Sequence, residues 1–191
     1  MVRNHERRRA IADAGLRVLA GDGARGLTHR AVDREAGVPI GTTSNYARSR
    51  EALVGLLVER IGERLTPDPG AAPDHSLGDA RSASAHYLRD VVRRLSANRD
   101  VTLALFELRL ECARRPELAE TFSRWRRAGF EADVAFNAAE GLPGGREEIA
   151  LFHYAVDGLL LDRLTVPLLP DADLDAVVDG LVEGLLPRSS S

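Results

Sequence analysis

Apolar positions recur along this chain at three- and four-residue spacing, and almost nowhere at the two-residue spacing of a strand. From Arg3 to Ala20, the residues Ile11, Ala14, Gly15, Val18 and Leu19 fall on one arc. That predicts an amphipathic helix ended by Gly21, Gly23 and Gly26. Thr28 reads as the N-cap of a short helix to Ala36, with Val32 and Ala36 inward and Gly37 as its stop. Val38-Pro39 turns the chain into a second short helix, Ile40 to Tyr46. Ser49 caps a longer helix over 50–65 that turns Leu53, Leu56, Leu57 and Ile61 inward. A polar Pro/Gly-rich connection, Thr66 to Ser76, leads to five more helices at about 77–97, 99–114, 116–140, 146–165 and 172–186. The expected fold is all-α, with about nine helices.

Composition narrows the class. The 191 residues, 44% of them hydrophobic, can bury a core without disulfide or metal staples. The lone Cys112 leaves no disulfide framework, which points to a reducing, cytoplasmic compartment. No apolar run approaches the roughly 18 residues of a membrane span, so no membrane partner is expected. The net charge of −3 hides an asymmetry: residues 1–50 hold ten Arg against five acids, and the remainder sixteen Arg against twenty-four acids. A basic N-terminal region that meets polyanions and an acidic remainder that does not are expected.

The two short helices around Gly37 have helix-turn-helix spacing, in which the second helix enters a major groove and the first crosses the backbone. The second carries small and hydroxyl or amide side chains, Gly41, Thr42, Thr43, Ser44 and Asn45. Such residues allow close approach to bases and donate to phosphate oxygens. Arg30, near the start of the first helix, can reach a guanine edge or a phosphate. Two short helices around a Gly turn also occur in helical proteins that never touch DNA. A helical interaction protein with a non-binding helix-turn-helix is therefore the rival reading.

The segment AGVPIGTTSNYARSREAL at 36–53, with GLTHRAV at 26–32 before it, resembles the tetracycline-repressor (TetR) family. The likeness is close over residues 6–60 and looser beyond, resting there on helix count and AVDGLLLDRL at 155–164. It implies a homodimeric repressor with a helix-turn-helix DNA-binding domain at 1–48, a linking helix 50–65, and a ligand-binding and dimerising domain at 66–191. It implies base-facing or groove-lining positions for Arg30, Ile40, Gly41 and Thr42, and phosphate-contacting ones for Thr28, Ser44, Asn45 and Tyr46. Its partners would be a double-stranded DNA operator, a small-molecule effector and a second copy of the chain. Two departures stand out: Ile40 lies where a polar or basic residue is common, and Ala47 replaces a common aromatic, which predicts a less buttressed recognition helix.

A single half-site binds weakly at physiological salt, so two copies reading a near-palindrome are expected. The candidate interface is a four-helix bundle built from the last two helices of each chain. It would use Phe152, Val156 and Leu159 of one stripe and Val177, Leu181 and Gly184 of the other. Both stripes serve equally as ordinary monomer core. Thr102 and Arg109 lie off the narrow polar face of a mostly apolar helix and, with Phe106, Phe122 and Trp125, are candidate pocket residues. His153 and Asp157, at i and i+4, read either as a pair inside the core or as polar anchors of that pocket. Five scattered histidines (His5, His29, His75, His86 and His153) come with no HExxH, cysteine-pair, phosphate-loop or Gly-x-Ser-x-Gly motif. No catalytic set, cofactor or metal is expected.

Overall fold

The computed structural model describes residues 2–67 and 72–187; positions 68–71 of the expected connection and the last four residues lie outside this range. The described residues form nine α-helices and no strand: α1 Val2–Gly26, α2 His29–Glu35, α3 Thr42–Tyr46, α4 Arg50–Leu65, α5 Ala80–Ala97, α6 Arg99–Arg114, α7 Pro116–Ala139, α8 Arg146–Leu164 and α9 Leu174–Leu185. A single 3-10 turn, His75–Leu77, precedes α5. The first helix runs past its expected end at Ala20 because the glycines do not all break it. Only Gly23 leaves helical geometry, with φ 67° and ψ −175°. The expected recognition helix begins two residues later than its periodicity suggests, since Gly41 takes a left-handed conformation that starts α3 at Thr42.

Two compact units emerge. The first joins residues up to Thr66 with Asn98–Arg126, and the second joins Pro67–Ala97 with the chain from Arg127 onward. This division describes packing, and is of a different kind from the expected functional split at 1–48 and 66–191.

In the first unit α1 packs along α6 and against α2 and α4. Ile11, Leu16, Leu19, Leu27, Val32, Leu53, Leu57, Ile61, Val101 and Leu108 form its fully buried core. Helices α1 and α4 approach closely at Gly15, where a Cβ would stand 2.6 Å from a Leu57 methyl. Arg60 grips both oxygens of Asp13, at 2.8 and 2.9 Å, and Arg64 adds a contact at 3.2 Å. Arg8–Glu59 and Arg9–Glu63 pairs flank that grip. Burial alone would raise the Asp13 pKa, but the two guanidiniums hold it below the ordinary value.

In the second unit α5 packs against α8 and α9, and α8 against α9. Ala83, Val92, Ile149, Val156, Leu160, Val178 and Val182 lie in its interior. Arg89–Asp179 and Arg93–Asp175 ion pairs tie α5 to α9.

Candidate DNA-binding interface and effector region

The helix-turn-helix is built from the end of α2 outward. Thr28 caps α2 by accepting the Ala31 N–H at 3.1 Å. At the other end Gly37 (φ 64°) donates to Arg34 O and Val38 donates to Asp33 O, a Schellman closure that turns the chain sharply. Helix α3 has glycine at its N-cap and so no capping side chain of its own. Asp33 supplies the cap from α2. Its Oδ2 accepts the Gly41 N–H at 2.7 Å, and its Oδ1 accepts both the Thr43 N–H at 2.7 Å and the Thr43 hydroxyl at 2.6 Å. Both Asp33 and Thr43 are fully buried. Burial pushes the Asp33 carboxyl up, but the Thr43 and Gly41 donors outweigh it and hold the pKa below the usual carboxylate value. A carboxylate is thus the joint between the two short helices. His29 Nε2 closes the far end, 2.6 Å from Ala47 O.

With the joint fixed, most of the expected contact residues face water. Thr28, Arg30, Ile40, Gly41, Ser44 and Asn45 are exposed, while Thr42 and Tyr46 are half-buried. The Thr42 hydroxyl donates to Pro39 O, and the Tyr46 ring packs on the core. Thr43, grouped by the sequence with the groove-approaching residues, instead points inward to Asp33. Ala47 is buried as well, so the recognition helix is buttressed there by close packing and by His29 rather than by an aromatic ring. Among the described residues neither Arg30 nor Arg48 has an ion-pair partner, so both charges are available to an anion.

A second polar joint lies at the start of α4. Arg50 donates to Ala24 O at 2.7 Å and to Leu27 O at 3.0 Å, and reaches Glu111 Oε1 at 3.2 Å. Glu111 is buried on α6 and also takes Arg115 Nε at 2.8 Å. The expected polar face of α6 therefore turns one of its acids into the first unit to meet an arginine from the start of α4.

The seven candidate effector residues divide. Thr102, Phe106, Arg109, Phe122 and Trp125 belong to the first unit, and His153 and Asp157 to the second. Thr102 is fully buried, and the Arg109 guanidinium lies 5.9 Å from the Phe106 ring centre. Phe122 and Trp125 meet at 5.6 Å between ring centres. The indole Nε1 lies 3.0 Å from where a Cβ on Gly62 of α4 would stand, so glycine there lets the ring lie against α4. His153 Nε2 meets Asp133 of α7 at 3.0 Å, and the His153 ring lies edge-on to Phe130. An open groove of about 410 Å³ between α5 and α9 is lined by none of the seven. Its arginines are engaged within the fold, Arg81 with Val182 O and Pro187 O, and Arg89 with Asp179.

The candidate dimer residues also differ among themselves. Val156 is buried inside the protomer, and Phe152, Leu159, Val177 and Leu181 are half-buried. Gly184 is exposed, with open space where a Cβ would project. The outward apolar residues of α8 are Leu151, Tyr154 and Leu161.

Comparison with known proteins assigns the class. A sequence model described as "Tetracyclin repressor-like, C-terminal domain" matches residues 79–188, more than half of the chain. The chain belongs to the tetracyclin repressor-like family. It is a transcriptional regulator on that ground. Curated proteins yield no match. Solved structures extend the likeness to the N-terminal helices. A transcriptional regulator of Rhodococcus sp. Rha1 has a TM-score of 0.70 at 23% identity, covering 93% of this chain and 95% of its own. A TetR-family member of Streptomyces coelicolor A3 has a TM-score of 0.68 at 24% identity, covering 96% and 99%. The multidrug binding protein EbrR, complexed with malachite green, has a TM-score of 0.70 at 26% identity, covering 96% and 99%.

Within this tetracyclin repressor-like chain, sequence reasoning found the exposed residues of the helix-turn-helix and missed two polar joints, buried Asp33 between α2 and α3 and half-buried Arg50 at the start of α4. Asp33 had one legible signal: an acid eight residues before a glycine that leaves the next helix without a capping side chain. Arg50 had none, because its partners lie 23, 26 and 61 residues away.

Proposed function

We propose that this chain is a homodimeric cytoplasmic repressor and not an enzyme. It binds a palindromic double-stranded DNA operator through residues 1–48 and releases it when a small molecule enters the 66–191 domain. The observation that carries this reading is the Asp33 joint, which fixes α2 and α3 while leaving Arg30, Ile40, Gly41, Ser44 and Asn45 exposed in the basic part of the chain. Thr28, Ser44, Asn45 and Tyr46 serve as phosphate contacts, and Arg30 and Thr42 meet the groove. On the effector side, EbrR is described with proflavin, ethidium and malachite green bound, and Phe106 and Phe122, both buried, with half-buried Trp125 are the aromatic side chains a flat ligand would stack on once it enters. The Trp125 indole against Gly62 supplies a lever, since a ligand that moves the ring presses on α4 and alters the separation of the two recognition helices. Duplex half-sites require that separation to be about 34–36 Å.

A mobility-shift titration against the DNA upstream of the protein's own gene tests the proposal. A sequence-selective complex that weakens steeply with salt is expected, and no complex at low salt would overturn it. Arg30→Ala lowers affinity by about 5- to 150-fold, the range of a lost guanidinium contact. Tyr46→Phe keeps the ring and loses only the hydroxyl, so it weakens binding less. Both variants keep the wild-type thermal midpoint, and parallel loss of stability would make these residues structural instead.

Dimerisation has a separate check. Gly184→Leu adds a side chain where the protomer has open space, so the chain still folds but its copies are held apart. Sedimentation at micromolar concentration then reports a monomer; an unchanged coefficient removes α9 from the interface.

A further inference from the structure

We propose that Ile40 reads the 5-methyl group of a thymine, once in each operator half-site. The inference rests on the DNA-binding reading above and adds a base preference to it. Ile40 is 65% exposed, and no other large hydrophobic is exposed within residues 4–67. Its backbone is held on both sides. Pro39 precedes it and its carbonyl accepts the Thr42 N–H at 3.1 Å, while the Gly41 N–H is anchored on buried Asp33 at 2.7 Å. An apolar side chain kept in water on a rigid turn, one residue before the N-cap of the recognition helix, gains nothing from its own fold. It gains when a partner covers it. Gly41 beside it has φ 94° and no side chain, and a Cβ there would meet nothing within 4 Å, so on that side the isoleucine is open to a surface.

In the major groove the edges of guanine, adenine and cytosine present donors and acceptors, and thymine alone adds a methyl group. Isoleucine can neither donate nor accept, so burying it against a polar edge would leave that edge without a partner. The thymine methyl is the group it can cover without that cost. Thr42, Ser44 and Asn45 remain for the polar contacts around it.

The test uses the full chain and duplexes selected from a random pool, then resynthesised with dU in place of each dT in turn. Removing the one methyl that matters weakens wild-type binding about fourfold, and about fifteenfold when both half-sites are changed, as expected for one buried methyl each. Ile40→Ala binds the dT duplex more weakly than wild type does, binds dT and dU duplexes equally, and unfolds at the same temperature. Indifference of the wild type to dU at every position overturns the inference, as does a selected site without thymine in the half-sites. Equal dU sensitivity in Ile40→Ala also overturns it, by assigning the effect to duplex shape. Failure to select any duplex at low salt instead overturns the DNA-binding reading on which it stands.

Discussion

Asp33→Ala destabilises the chain by about 3 kcal/mol and removes DNA binding with it, read as a shifted urea midpoint and a lost mobility shift. Three donors converge on this carboxylate, and two of them, the N–H and hydroxyl of Thr43, belong to a fully buried residue. Alanine leaves the buried donors without an acceptor and strips α3, only five residues long, of its cap. A helix that short has no stability of its own to fall back on. Asp33→Asn keeps one oxygen for Thr43 but turns an amide N–H toward the Gly41 N–H, so about half the loss is expected. The acid dependence has a definite sign. A carboxylate whose folded pKa lies below its unfolded value contributes fully above the unfolded value and loses that contribution as pH falls through the folded one. Asp13, held down by Arg60 and Arg64, acts in the same direction. Stability therefore holds from neutrality down to about pH 4 as far as these two groups decide it, then declines. Wild-type unfolding in Asp33→Ala would transfer the joint to hydrophobic packing alone.

Arg50→Met has the second-largest expected effect, a loss of about 2–4 kcal/mol. The methionine replaces the stem of the side chain but none of its donors. The carbonyls of Ala24 and Leu27 lose their partner at the end of α1, and buried Glu111 keeps only Arg115. Because Arg50 is about one quarter exposed, the lower half of that range is favoured. Glu111→Gln keeps a hydrogen-bond acceptor while losing the charge, and loses about 1 kcal/mol. The diagnostic measurement is hydrogen exchange. In Arg50→Met the amides near the end of α1 lose protection before those of α6, whereas uniform loss would mean that Arg50 contributes only to global stability.

These two residues also mark where sequence reasoning reached its limit. Helix positions were legible because they follow from local properties. The 99–114 helix matches α6 at both ends, Thr28 and Ser49 cap as expected, and Gly37 stops α2. Miscounts occurred at glycines, where the residue permits several conformations and neighbours choose among them: Gly21 stays helical, Gly23 breaks, and Gly41 delays α3. Charge partners were illegible for another reason. His153 stands one turn from Asp157 in sequence, yet its ring meets Asp133 across to α7. An i, i+4 spacing shows that two side chains are near each other, but not which acceptor a neighbouring helix adds. On α8, apolar residues surround most of the helix, so periodicity could not separate inward Val156 from outward Tyr154.

The amino-acid order alone determined an all-helical chain, the approximate places of its helices, and the concentration of arginine and small polar residues around a tight turn. Each depends on spacings of a few residues, over which backbone geometry is nearly independent of the rest of the molecule. Tertiary structure decided that Asp33 faces inward and caps a helix it does not belong to, that Arg50 bonds back to the end of α1, and that Ile40 is left in water. Those outcomes depend on which distant segment arrives alongside, because a carboxylate or guanidinium bonds whatever donor or acceptor the packed core brings within 3 Å.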